Sequence, residues 1–369
     1  MRFPNFDGIW QYAPLKKVCS FSKGYGISKD NLSVKGEPCI LYGELYTTYK
    51  TAIAKNIKSK TDLNPKTLFH SKKNDVIIPC SGETAEDIAT SVCVPYDDIL
   101  LGGDLTVIRS NLDGAFLSNQ LNSVRKYDIA RIAQGKSIVH LQADELGKIK
   151  IAFPSIEEQR KISGFIDLID DRIAVQNKII EDLKVLKKEL NAFLINRLTN
   201  GKIPNCQIGD VIDYEQPTSY IVNSDKYISN GTTPVLTANK AFVLGYTNEQ
   251  EGIYDKGNCI IFDDFTLDFK FVDFPFKVKS SAIKILSAKS NVDIKYFYEY
   301  LLFLGLSTNE HKRHYISEVA SKSMYLPSLF EQETLLKPLN KISLKLFQEE
   351  RVLSLLEQQR KYLLNAMFI

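Results

Sequence analysis

The chain has 369 residues and a mass of 41.8 kDa, enough for roughly two or three folding units. Its 44% hydrophobic and 25% charged residues exclude disorder and fibrous repeats, and no apolar run approaches the ~18 residues of a membrane span, since Tyr296 to Leu306 is short and carries Glu299. The formal net charge of +3, from 47 Lys plus Arg against 44 Asp plus Glu, is too small to mark a nucleic-acid binder by itself. The opening Met1-Arg2-Phe3-Pro4-Asn5-Phe6 lacks the charged and then apolar regions of a secretory signal, so a cytoplasmic location with no membrane partner is expected.

The first segment, residues 1–153, reads as short strands and turns. Asp75–Pro79, Ile99–Leu101, Leu105–Ile108 and Ile149–Phe153 have strand character. Seven lysines between Lys50 and Lys73 (50, 55, 58, 60, 66, 72, 73) face one acid, Asp62, with Tyr46 and Tyr49 just ahead. Such a tract either follows phosphates or is a solvated face, and charge alone does not choose between these. Gly135-Lys136-Ser137 has the end of a phosphate-binding loop without its beginning, because the glycine required five residues earlier is Ala130. The six cysteines (Cys19, Cys39, Cys80, Cys93, Cys206 and Cys259) form no close pair and read as buried thiols.

At residues 154–200 the pattern changes to a long helix, and the change recurs at 327–369. Phe153-Pro-Ser-Ile-Glu-Glu-Gln159 is repeated 173 residues later as Leu326-Pro-Ser-Leu-Phe-Glu-Gln332. Ser155 with Glu158, and Ser328 with Glu331, have the spacing of a capping box. Behind each cap a 4,3 spacing selects Ile162, Ile166, Ile169, Ile173, Gln176, Ile180, Leu183, Lys187, Leu190 and Leu194, then Leu335, Leu339, Ile342, Leu346, Glu349, Leu353, Leu356, Arg360, Leu363 and Met367. The polar exceptions fall at the same places in both copies, so two related helices are expected, each with a seam for a partner helix. At 1.5 Å per residue, about 40 residues make a rod of roughly 60 Å. The natural partner of one seam is the other, antiparallel, with Gln176 and Glu349 fixing register; packing of each helix on its own globule is the alternative. Pro338 implies a tolerable bend two turns into the second helix, and Asn200-Gly201 is a natural stop for the first.

The segment between the helices, residues 201–326, resembles the first in size and texture. Asn258–Phe262, Phe271–Phe276 and Ala282–Leu286 have strand character, and Ile294–Leu304 is helical. Five lysines (270, 277, 279, 284, 289) face Asp273, and His311 with His314 is read as part of a polar, basic surface loop, a third metal ligand being absent nearby. The fold class expected is therefore α+β: two mixed α/β domains alternating with two long helices that pair as an antiparallel coiled coil.

Catalytic signatures are missing. There is no Pro-Pro of an amino-methyltransferase motif and no G-x-S-x-G, and Asp182-Leu183-Lys184, which has the look of a nuclease ending, lies on the heptad helix. Binding is favoured over catalysis.

Several segments together resemble the specificity subunit of Type I restriction-modification enzymes: Arg2-Phe-Pro-Asn-Phe-Asp-Gly-Ile-Trp10 with Leu15-Lys-Lys-Val18, Ile78-Pro-Cys-Ser-Gly-Glu-Thr84, Ala133-Gln-Gly135 with His140-Leu141, and both Pro-Ser-x-x-Glu-Gln helix starts. The resemblance implies a non-catalytic chain in which each globule is a target-recognition domain reading half of a split, asymmetric DNA site. The paired helices set the half-site spacing and dock two modification (methyltransferase) subunits, and restriction/translocase subunits then join. S-adenosylmethionine, ATP and magnesium belong to those partners, with no cofactor in this chain.

Double-stranded DNA is read by side chains at base edges. The candidate contacts are Tyr46, Thr47, Tyr49, Lys50, Ser81, Gly82, Glu83 and Thr84, with Gly82 permitting close approach and Glu83 accepting from a cytosine amino group. A plain strand turn is the other reading of Ser81–Thr84. In the second domain, where no counterpart of that loop is found, the candidates are Thr237, Asn239, Lys240, Lys277 and Lys279. The helix-pairing residues expected are Ile162, Ile169, Ile173, Ile180, Leu183, Leu190, Leu335, Ile342, Leu346, Leu353, Leu356 and Leu363. A self-contained enzyme, a coiled-coil scaffold that does not bind DNA, and the specificity subunit of a methylation-only complex are the other classes.

Overall fold

The computed structural model describes residues 2–135, 138–239, 241–310 and 312–368. The chain divides into two compact units, one of residues up to 177 with those from 351 onward, the other of residues 178–350. Both long helices are shared between the units, and each unit has its own sheet and core.

The first unit is built on an antiparallel sheet in the order Cys19–Lys23, Leu105–Ser110, Asp75–Pro79, Val92–Val94. Asp75–Pro79 is buried along its whole length, which is why it reads as an apolar run rather than an alternation. A smaller sheet joins Lys60–Thr61, Glu37–Ile40, Leu100–Leu101 and Phe69–His70. Gln11–Pro14 pairs with Lys150–Phe153, so the start of the globule lies beside the strand that feeds the first long helix.

The second unit repeats this plan. Ile212–Glu215, Ile283–Ala288, Cys259–Asp263 and Phe269–Val272 form the equivalent four-stranded sheet, and Cys206–Gln207 pairs with Ser323–Met324 just ahead of the second long helix. A separate sheet of Val243–Thr247, Thr233–Leu236 and Lys277–Val278 corrects the expected strand at Phe271–Phe276: the first sheet's strand ends at Val272, and the chain crosses to another sheet at Lys277.

The long helices run Ile156–Thr199 and Leu329–Met367, the second continuous through Pro338. The second starts with a complete capping box: the Ser328 amide donates to the Glu331 carboxylate (2.9 Å), and the Glu331 amide donates to the Ser328 hydroxyl (3.4 Å). The first has only half of one. The Glu158 amide donates to Ser155, but the Glu158 carboxylate accepts two bonds of 2.7 Å from Arg2 instead of reaching back to the cap. A bidentate guanidinium is the stronger partner for a buried carboxylate than one backbone amide. Gly201, at φ 70°, ends the first helix in the left-handed region that an L side chain avoids.

All ten positions of each 4,3 series are buried or half-buried. Off the seam, Leu168, Val175, Leu186 and Phe193 are exposed. In the first unit Ile162, Ile166 and Ile169 share a core with Leu363, Leu364, Met367 and Phe368, closed by Trp10 and Phe116. In the second, Leu190, Leu194 and Ile195 share one with Leu335, Leu336 and Leu339. Early residues of one helix meet late residues of the other in both units, so the helices pack antiparallel. The polar seam positions are paired: Lys187 with Glu299 (2.7 Å), Arg360 with Asp170, and Glu349 with Lys345, while Gln176 is buried.

Candidate nucleic-acid interface

In the first unit a one-turn helix, Glu44–Thr47, is anchored by buried Leu45 and by the Glu44 carboxylate, which accepts from the Leu41 amide (2.8 Å) and the Ser59 hydroxyl (2.6 Å). This anchoring leaves Tyr46 half-exposed and Thr47 and Lys50 exposed or nearly so. Tyr49 turns inward, and burial raises its hydroxyl pKa well above the usual tyrosine value. Of the seven-lysine tract, Lys55 pairs with Asp167 (2.7 Å) and Asp171 on the long helix, whereas Lys58, Lys60, Lys66, Lys72 and Lys73 reach solvent.

The Ser81–Thr84 loop is divided. Ser81 and Gly82 are buried in a ladder with Val139–His140, and a Cβ on Gly82 would lie 2.4 Å from the Ile88 side chain. Glycine is therefore required here by packing, which corrects the expectation of a close approach to DNA at this residue. Thr84 caps the following turn by accepting from the Asp87 amide (3.1 Å), and Glu83 and Thr84 are the members that face solvent.

In the second unit Thr237 is buried, its amide donating to the Phe242 carbonyl (3.0 Å), and Asn239 is exposed; Lys240 lies outside the described residues. Lys277 is 2% exposed, pairs with Glu249 (3.0 Å) and donates to the Glu251 carbonyl (2.7 Å). Its charge is neutralised inside the fold, which corrects its assignment as a phosphate or base contact. Lys284 is buried against Asp264, and Lys289 donates to the Gly209 and Asp210 carbonyls. Of the five-lysine tract, Lys279 and half-exposed Lys270 are the two without an ion-pair partner among the described residues. His314 is buried rather than part of a surface loop, with Glu318 3.0 Å from Nδ1; His311, Lys136 and Ser137 lie outside the described residues. Burial pushes the Cys93 and Cys259 thiols up to about 12, so both are neutral near pH 7.

The missing counterpart of the Ser81–Thr84 loop is found from the backbone. Cys80 donates to the Asp104 carbonyl (2.7 Å) and accepts from the Leu141 amide (2.8 Å); Asp264 likewise donates to Ala282 (2.9 Å) and accepts from His314 (2.9 Å). Directly after Asp264 the chain makes a tight turn in which the Asp263 carboxylate accepts from the Phe265 and Thr266 amides and Leu267 takes φ 61°. The two loops differ in chemistry but occupy one topological place.

A further pair of equivalent residues holds each globule to its helix. Gln159 accepts from the Asp113 amide (2.9 Å) and donates to the Pro154 carbonyl (2.9 Å); Gln332 accepts from the Asp293 amide (2.8 Å) and donates to the Pro327 carbonyl (2.8 Å). Asp113 and Asp293 each cap the helix that comes after the main sheet. The sequence signal for this joint is Ser110-Asn111-Leu112-Asp113 repeated as Ser290-Asn291-Val292-Asp293, at an offset of 180 rather than 173. Gln159→Ala and Gln332→Ala each leave an amide donor and a proline carbonyl without this partner, so each is expected to cost about 1–3 kcal/mol, read as a lower melting temperature.

Residues 8–185 match the family model of the Type I restriction modification DNA specificity domain. The chain is 42% identical over 142 residues to the specificity subunit of the Type I restriction enzyme EcoR124I/EcoR124II of Escherichia coli, a match covering 37% of this chain and 35% of that one. A putative Type I restriction enzyme MjaX specificity subunit of Methanocaldococcus jannaschii is 31% identical over 128 residues, 32% of this chain and 29% of that protein. These matches span about a third of each curated relative's length. The fold is that of the Type I restriction-modification S subunit crystal structure from M. genitalium, with TM-score 0.67 and 16% identity over 100% of this chain and 99% of that one. A structure of Type I system complex assembly and conformational transition gives TM-score 0.57 and 15% identity over 98% of both chains. With its duplicated globules, its paired helices and the recurring glutamine joint, the chain has the fold of a Type I restriction-modification S subunit, and its residues 8–185 are similar to the Type I restriction modification DNA specificity domain.

Proposed function

We propose that this chain is the non-catalytic DNA-specificity subunit of a Type I restriction-modification complex. It reads a split, asymmetric site with one globule per half-site, and docks two modification subunits and, through them, restriction subunits. The observation that carries the reading is the duplication: one sheet topology occurs twice in a single chain, joined each time to a long helix by the same glutamine. Two non-identical readers in one chain specify an asymmetric sequence, whereas identical readers in a dimer demand a palindrome.

The exposed candidates divide by chemistry. Lys50, Lys58, Lys60 and Lys66 suit phosphates, and Lys279 does the same in the second unit. Tyr46, Thr47, Glu83, Thr84 and Asn239 suit base edges. The test is to exchange residues 1 to about 150 for the same region of a relative and to map methylated sites in cells. One half-site changes while the other half-site and the spacer persist. Lengthening the helix near Asn196 to Gly201 changes the spacing and leaves both half-sites alone. Alteration of both half-sites by the exchange would overturn the assignment.

A further inference from the structure

The seam of each long helix carries a cation that an apolar interface does not need, Lys187 and its repeat partner Arg360, and each borders a cavity. In the second unit a cavity of 310 Å³ lies between the first long helix, the Ile294–Leu304 helix and Leu346. In the first unit one of 680 Å³ lies between the two long helices, the end of the Gly114–Asn122 helix and the pair Lys50 and Thr51, with Ile173 in its wall. Their walls correspond. At the offset of 173, Lys187, Lys188 and Ala192 become Arg360, Lys361 and Asn365, and Ile173 becomes Leu346. At the offset of 180, Asn122 and Ser123 become Leu302 and Phe303.

In both cavities the inner cation is paired with a buried carboxylate, Lys187 with Glu299 (2.7 Å) and Arg360 with Asp170. The acid comes from the capped helix in one case and from the first long helix in the other, so the place of the cation is repeated although its partner is not. At each mouth an exposed ammonium remains, Lys188 and Lys361. Inside the second unit's cavity Asn191 Oδ1 and Glu299 Oε2 are buried acceptors without a hydrogen-bond donor among the described residues. The other is lined by the exposed Asn177 and Asn365, so the buried acceptors are a feature of the second unit's cavity. Buried acceptors call for an N–H or O–H from an occupant.

We infer that the two cavities form a duplicated anchor. Each takes, from one copy of the same protein partner, an aromatic side chain ending in a hydrogen-bond donor, a tyrosine or tryptophan, carried on an acidic segment. Correspondence of the walls at two independent offsets makes one partner used twice the occupant. The aliphatic wall at Leu346 or Ile173 suits a ring, the acceptors suit its donor, and the mouth lysine suits a neighbouring carboxylate. The inference rests on the reading that two modification subunits dock on this chain, and it assigns where each one anchors.

The test uses the full chain co-expressed with the modification subunit and counts bound copies by native mass spectrometry. Ala192→Trp fills one cavity and Asn365→Trp the other. The wild type carries two copies, each single variant one, and the double variant none. Lys188→Glu and Lys361→Glu, at exposed side chains whose replacement leaves the core untouched, each weaken one copy at least tenfold. Two copies on the wild type and on the tryptophan double variant, with equal affinity, overturn the anchor alone, as does loss of both copies from one single variant. A wild type that carries no modification subunit overturns the underlying functional reading and the anchor with it.

Discussion

Aspartate in place of Ile166 or Leu339 is expected to unfold the unit that contains it. Both side chains are 0% exposed, Ile166 among Trp10, Phe116 and Leu363, Leu339 in the core with Leu335 and Ile195. The substitution forfeits about 1.5–3 kcal/mol of apolar burial and puts a carboxylate into apolar surroundings that offer it no partner. The sum exceeds about 4 kcal/mol, a large part of the roughly 5–15 kcal/mol that holds a typical domain together. Far-ultraviolet circular dichroism against temperature reads the loss. Ile180→Asp and Leu353→Asp fall in the same seam and act in the same direction, more weakly at half-buried Leu353. Asp at exposed Val175 or Val185 is the control, with a change within about 0.5 kcal/mol. Unchanged melting of Ile166→Asp would refute the seam.

The second large effect lies at Asp264. This residue is 1% exposed, and its carboxylate accepts from the Tyr315 amide (2.8 Å) and the His314 amide (3.1 Å) while facing the Lys284 ammonium at 3.6 Å. Lys284 is equally buried, and its pKa is pushed below the ordinary 10.5 by burial against the pull of Asp264. Asp264→Ala leaves a buried ammonium and the Tyr315 amide without their acceptor, while the His314 amide keeps its bond to the carbonyl of residue 264. Breaking one side of a buried pair costs about 3–5 kcal/mol, which for a unit of this size lowers the melting temperature by roughly 10 °C.

The sign of the pH dependence comes from the lysine. With Asp264 gone the folded-state pKa of Lys284 falls further, the unfolded chain binds the extra proton, and stability rises with pH. The deficit is therefore full near neutrality and shrinks as pH climbs toward 10.5. Adding Lys284→Met to Asp264→Ala removes the stranded charge and recovers part of the loss. A double variant no more stable than the single one would show that the Tyr315 amide, rather than the ion pair, carries the cost.

Much of this architecture was legible in the residues alone. The 173-residue repeat located both helix starts, and the 4,3 spacing picked out twenty positions that are all covered, the polar ones included. A helix's period reports which side is covered, and that depends only on residues a few places apart. The strands at Asp75–Pro79 and Leu105–Ile108 were legible for a related reason, since full burial on two faces demands a continuous apolar run.

Tertiary structure alone decided the fate of the polar residues. Lys277 and Lys279 stand two apart, yet one is sealed against Glu249 and the other faces water. Arg2, 156 residues from Glu158, displaced half of a capping box that the local spacing had made complete. Gly82 is glycine because of Ile88, and Gln159 matters because Asp113 arrives beside it from the far end of the sheet. Whether a charge is solvated or paired is set by which distant groups the fold brings within about 3 Å of it, and burial makes such pairing obligatory. Composition and periodicity register the first few neighbours along the chain, while hydrogen bonds and ion pairs between buried groups register neighbours in space.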